Sequence, residues 1–135
     1  LVSRGGRRLR LDLALHPKAN IRGPQVLRFL RHLNRHVTGP VVLLWDRGRS
    51  HKHGDVCQWL AAHPRWHVVW FPPYAPELNP VEQLWSYLKY GRLANFTPDD
   101  VSEIRDEVRT EVTRLRRRPT LFRSFFRHSR LPFRV

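Results

Sequence analysis

Between Pro72 and Pro80, four prolines fall within nine residues: Pro72-Pro73-Tyr74-Ala75-Pro76-Glu77-Leu78-Asn79-Pro80. Each ring fixes φ and removes a backbone donor, so neither a strand ladder nor a helix runs through this stretch. The apolar residues Val68 to Phe71 therefore form a strand that ends here, and a stiff, extended loop follows. Asn79 stands where a helix N-cap belongs, with Pro80 at the first helical position. Glu82 falls in the first turn, where the helix dipole favours a carboxylate. Leu84, Trp85 and Leu88 make an apolar stripe behind it, and the helix is expected to end near Gly91. On these residues alone, a capped surface helix with a stabilising first-turn Glu accounts for the pattern.

A second stretch adds to this. Val41-Val42-Leu43-Leu44-Trp45 is a continuous apolar run, the pattern of a strand buried on both faces. It ends in Asp46, followed by Arg47-Gly48-Arg49-Ser50-His51. Open α/β sheets place their sites at the C-terminal ends of such strands. Asp46 and Glu82 stand 36 positions apart, with one helix (about Asp55 to His63) and one strand between them.

The run Phe71-Pro72-Pro73-Tyr74-Ala75-Pro76-Glu77-Leu78-Asn79-Pro80-Val81-Glu82, with Trp85 and Lys89 behind it and the Asp46…His51 strand end before it, resembles the DDE transposases of the insertion sequence 630 and mariner group. The likeness is almost position for position from Phe71 to Lys89 and looser from about residue 7 to residue 115. Arg47 departs from it, since an Asn usually follows the Asp. The resemblance implies an α/β fold of the ribonuclease-H-like kind, a mixed sheet flanked by helices. It also implies cleavage and joining of DNA strands with two Mg²⁺ (or Mn²⁺) ions. Such ions favour carboxylate oxygens, and a pair of them can stabilise both attacking and leaving oxygens. Asp46 and Glu82 would then be catalytic metal ligands with carboxylates on the order of 4–8 Å apart. The plainer alternatives are a strand-end cap or salt bridge for Asp46 and helix-start stabilisation for Glu82. His51 would position a phosphate or cap its loop. Arg47 and Arg49 would meet DNA phosphates or offset the acids. Tyr74 would stack near DNA or pack against Trp85, a core residue on this reading. Lys89 would meet a phosphate or remain solvated.

Elsewhere, Leu9, Leu11, Leu13 and Leu15 alternate with polar residues, a half-buried strand bounded by Pro17. Ser3-Arg4-Gly5-Gly6 reads as a hairpin turn leading into it. Gly23-Pro24 open a helix whose face is Val26, Leu27, Leu30, Leu33 and Val37, and Gly39-Pro40 stop it. Thr97-Pro98-Asp99-Asp100 predicts a Thr-capped helix with Val101, Ile104, Val108, Val112 and Leu115 as its stripe. From about residue 119 a basic helical tail alternates Leu121, Phe122, Phe125 and Phe126 with Arg123, Arg127 and Arg130.

The element order fits one partial catalytic domain over residues 1–135 that lacks its first strand at the N-terminus. The absence of any Met supports the same expectation of a fragment. The third acid of the resemblance sits on that first strand. Asp12, the only upstream acid, reads as a solvent-facing strand residue instead. The chain alone is thus expected neither to cleave DNA nor to be very stable, and a non-enzymatic, DNA-binding remnant stands as the alternative. Twenty-five Lys and Arg against eleven Asp and Glu give +14, and only three of the twenty-five are Lys. Arg forks grip phosphates, so DNA is the expected partner. An acidic protein partner, a membrane surface or a GC-rich genome would also fit the charge. No apolar run is long enough for a membrane span. The single Cys57 rules out an internal disulfide. His51, His53, Cys57, His63 and His67 lack the paired spacing of a structural zinc site. The resemblance implies a cytoplasmic, nucleoid-associated place in a bacterium and leaves room for a homodimer of the full-length protein.

Overall fold

The computed structural model describes residues 2–4, 8–16 and 20–131. The chain divides into two compact units, Lys18–Tyr74 on one side and Leu1–Pro17 with Ala75–Val135 on the other. The strands are β1 (Val2–Arg4), β2 (Arg8–Arg10), β3 (Val41–Trp45) and β4 (Trp66–Trp70). The helices are α1 (Gly23–His36), α2 (Gly54–Ala61), α3 (Pro80–Ser86), α4 (Val101–Arg116) and α5 (Pro119–His128). The architecture is mixed α/β, with a small parallel sheet accompanied by helices.

In the unit Lys18–Tyr74, α1 opens at Gly23-Pro24, where the Gln25 side chain accepts from the Arg22 N–H at 3.1 Å and a side chain on Gly23 would meet His53. A Cβ on Gly23 would lie 2.2–2.6 Å from the His53 side chain. His53 is held in place as the N-cap of α2, accepting from the Asp55 N–H at 3.4 Å. Val26, Leu30 and Leu33 are buried on α1, while Arg28, Arg31 and Arg35 are exposed. Gly39 takes the left-handed conformation at φ 75°, which suits glycine. The Arg65 guanidinium ties the end of α1 to the start of β4, donating to the Asn34 side chain and to the Gly39 carbonyl at 2.7 Å. The α2 crossover allows β3 and β4 to pair in parallel, from Val41 opposite Trp66 to Trp45 opposite Trp70.

The ladder corrects one expectation. β3 is not buried on both faces: Val42 is 63% exposed, and Val69 on β4 is 49% exposed. By register Val42, His67 and Val69 share a face, and all three are exposed. The alternate face holds buried Trp66 with half-buried Val41, Leu43, Val68 and Trp70.

In the other unit, β1 and β2 form an antiparallel ladder from Val2 opposite Arg10 to Arg4 opposite Arg8. The expected turn at Gly5-Gly6 and the stop at Pro17 lie outside the described residues. The strand expected over Leu9 to Leu15 is regular only to Arg10. Beyond it, Arg116 takes the Leu11 carbonyl through Nε (3.2 Å) and Nη2 (2.8 Å). Leu11 is 4% exposed and Leu13 and Leu15 lie against the same core, but Asp12 is half-buried beyond the end of β2 and is not the solvent-facing strand residue expected.

That core is Leu11, Leu84, Leu88, Val108, Val112, Leu115, Phe122, Phe125 and Phe126. α5 packs its three phenylalanines inward against α3 and α4. α4 is capped by Asp100 rather than Thr97. Asp100 Oδ1 accepts from the Ser102 N–H at 2.6 Å and the Glu103 N–H at 3.0 Å. The Ser102 hydroxyl and these two N–H groups hold the Asp100 carboxyl below the usual range. The α4 stripe is also shorter than expected, since Val101 and Ile104 are 53% and 38% exposed. They occupy the turns ahead of Val108, where α4 begins to bury side chains.

Candidate active site

The Asp46 loop leaves β3 at its C-terminal end. Its carboxylate is half exposed, and one oxygen is held by two donors. His51 Nδ1 lies 2.7 Å from Oδ1, and the Gly48 N–H donates to the same atom at 2.8 Å. The other oxygen, Oδ2, has no hydrogen bond among the described residues. His51 is itself fixed: its ring stacks on Trp45 at 4.2 Å, and Trp45 stacks on Trp70 at 6.0 Å. Lys52 sits over the Trp70 ring at 5.9 Å. A run of rings thus carries the rigidity of the β3–β4 ladder out to the carboxylate. Gly48 is the close-approach residue of the loop, because a Cβ there would lie 2.9 Å from Asp46 Oδ1. Arg47 donates Nε to the Phe71 carbonyl at 3.3 Å, so part of its guanidinium is engaged at the end of β4. Arg49 is exposed.

Glu82 belongs to the other unit. Asn79 caps α3, accepting from the Val81 N–H at 3.1 Å, with Pro80 in the first turn as the sequence predicts. Glu82 is exposed in that first turn, without an ion pair among the described residues. Leu84 and Leu88 turn inward at 2% exposure, and α3 continues as a π-helical segment, Tyr87–Arg92. Trp85 is 43% exposed and so is not a core residue. It stands one position beyond Leu84, a rotation of about 100° from the buried line. Tyr74, the last residue of the unit Lys18–Tyr74, is fully exposed at φ 56°. Lys89 is exposed, with Nζ 5.2 Å from the Tyr90 ring centroid.

Among the described residues, no three His, Cys, Asp or Glu side chains gather at one point. The donor chemistry still suits a hard divalent cation. Asp46 Oδ2 and the Glu82 carboxylate are oxygen donors open to solvent. The sequence reading missed the role of Gly48 and the ring stack. The tripeptide Arg47-Gly48-Arg49 gives only a weak turn signal, and a loop contact five residues apart follows no periodicity.

A family model described as "DDE superfamily endonuclease" matches residues 12–105, which is well over half of the chain and includes both Asp46 and Glu82. The chain belongs to this family. Membership implies nuclease or transposase chemistry with DNA as substrate, and divalent metals are general in DDE endonuclease domains. No curated protein and no solved structure matches. No helix among the described residues of this DDE chain is long and apolar enough to cross a membrane.

Proposed function

We propose that the chain is the part of a DDE transposase catalytic domain that supplies Asp46 and Glu82 as metal ligands for DNA strand cleavage and joining. The stretch from Phe71 to Lys89 resembles the insertion sequence 630 and mariner group, and a partial ribonuclease-H-like domain over residues 1–135 is the corresponding fold. The observation that carries the proposal is the Asp46 carboxylate. It sits at the end of β3, with Oδ1 locked by His51 and Gly48 and Oδ2 open, inside the family-matched stretch.

Asp46 Oδ2 and the Glu82 carboxylate would hold the metal, in keeping with their exposed oxygens. Two Mg²⁺ or Mn²⁺ ions, when bound, would supply charge neutralisation at the attacking and leaving oxygens of the phosphoryl transfer. The chain's own residues do the rest. His51 and Gly48 keep the Asp46 carboxylate from rotating. Asn79 and Pro80 fix the start of α3 and with it the place of Glu82. Arg47, Arg49 and Lys89 neutralise DNA phosphates as point or forked donors. Tyr74, exposed and apolar on both ring faces, offers a stacking surface. A third carboxylate is required to complete a three-acid site.

The test is metal-dependent nicking of supercoiled plasmid by the protein expressed from its whole reading frame. Nicking should require Mg²⁺ or Mn²⁺ and should be lost in Asp46→Ala and in Glu82→Ala. Binding of DNA with no nicking under any metal condition would favour the non-enzymatic remnant.

A further inference from the structure

We infer that the α4–α5 corner, outside the family-matched stretch, is a DNA-backbone surface built from Arg117, Arg118, Arg123, Arg127 and Arg130. The inference rests on the reading of DNA as substrate and assigns part of its binding to residues that the match does not reach. Between Val112 and Leu131 the chain has seven arginines and no Asp or Glu. The structure sorts the seven. Arg114 is paired with the buried Glu111, and Arg116 is spent on the Leu11 carbonyl. The other five are exposed, and none has an ion pair or a side-chain hydrogen bond among the described residues.

Their setting selects the partner. Arg123 and Arg127 stand one helical turn apart on α5, about 6 Å along its axis. The opposite side of α5 is occupied, because Phe122, Phe125 and Phe126 are 5–7% exposed within the core. A membrane-surface helix needs that apolar side free to enter the lipid. An exposed surface of one sign, made of guanidinium forks over a satisfied core, suits a polyanion read through its phosphates. The first half of α4 is different. There Arg105 and Arg109 share Asp106 at 2.8 Å and 3.7 Å, so both guanidinium groups already have a carboxylate partner, unlike the five at the corner.

The experiment is fluorescence anisotropy of a labelled duplex of arbitrary sequence, titrated between about 50 and 200 mM salt. The proteins, expressed from the whole reading frame, are wild type, Arg123→Gln/Arg127→Gln, Arg117→Gln/Arg118→Gln, and a control with the same loss of charge, Arg105→Gln/Arg109→Gln. Each lost phosphate contact should make the slope of log K against log salt shallower by about 0.9, so by about 1.8 for each corner pair. The control should keep the wild-type slope. Equal losses in the corner pairs and the control would reduce the effect to bulk charge and overturn the assignment. So would corner variants that bind like wild type, or a wild-type chain that does not bind DNA. Phosphatidylserine vesicles bound with the same dependence on Arg123 and Arg127 would replace DNA by a lipid surface. Nicking by the full reading frame, and its loss in Asp46→Ala, is read separately and stands or falls without this surface.

Discussion

Consider Gly48→Ala, a change of one methyl group. The added Cβ would lie 2.9 Å from Asp46 Oδ1 and 3.4 Å from His51 Nδ1, whereas ordinary contacts begin near 3.4 Å. The carboxylate oxygen must therefore retreat by about 0.5 Å, the difference between those two values. Its bonds to His51 and the Gly48 N–H, now 2.7 and 2.8 Å, lengthen by a similar amount if the retreat is away from both. That takes them out of the range of strong charge-assisted bonds. The stability cost is small. Asp46 is 56% exposed, so water replaces what is lost, and the net effect stays within about 1 kcal/mol. Gly48 lies outside the left-handed region, so alanine restricts the unfolded chain and returns about 0.4–1 kcal/mol. Catalysis is far less forgiving. A 1 Å misplacement of a reacting group costs about a hundredfold, so half of that predicts a loss of about tenfold. The assay pairs plasmid nicking by the whole reading frame with a thermal melt of the same samples. The expected result is slower nicking with an unchanged melting temperature. Wild-type nicking would refute the argument that Gly48 sets the carboxylate's orientation. A loss of activity that tracks a large fall in melting temperature would refute it as well.

His51→Asn keeps a donor near the Nδ1 position and should retain most nicking, whereas His51→Gln, which mimics Nε2, should not; the reverse order would mean that His51 acts on DNA and not through Asp46. Leu115→Ala, at a side chain 1% exposed, should destabilise the chain by about 2–5 kcal/mol in urea unfolding, and a smaller loss than about 1 kcal/mol would contradict the core described above. The Asp100 carboxyl is depressed in the folded chain by the Ser102 hydroxyl and the Ser102 and Glu103 N–H groups, so its contribution is present above the unfolded carboxylate range and is lost as pH falls through the folded value. The gap in melting temperature between wild type and Asp100→Ala should therefore be full at neutral pH and close towards strongly acid pH; a gap that widens on acidification would reverse the sign.

Where local chemistry decides, the sequence was legible. Asn79 and Pro80 announce the start of α3, and the structure shows that cap, which sets where Glu82 stands. The apolar run before Asp46 announces β3, and the Phe122, Phe125, Phe126 spacing announces the buried side of α5. Other features depend on competition or on distant partners. Thr97 and Asp100 are both cap residues, and Asp100 prevails with three donors converging on one oxygen. Val42 and Val69 are exposed because burial of a strand's second face depends on what covers the ladder, which no run of apolar letters records. The Leu11 carbonyl is held by a guanidinium 105 residues away, a partner that no local pattern announces. The grip of His51 and Gly48 on Asp46 arises from loop geometry, and loop geometry has no period to read.

Whether Asp46 and Glu82 hold the catalytic metal is read from single-turnover nicking of supercoiled DNA by the full reading frame, with and without Mg²⁺ or Mn²⁺. Asp46→Ala and Glu82→Ala are compared with Glu77→Ala, an exposed acid in the neighbouring 3₁₀ turn. The expected result is metal-dependent nicking that both site variants abolish and that Glu77→Ala leaves intact. Nicking that persists in Asp46→Ala or Glu82→Ala, or that proceeds equally well in chelator, would contradict it.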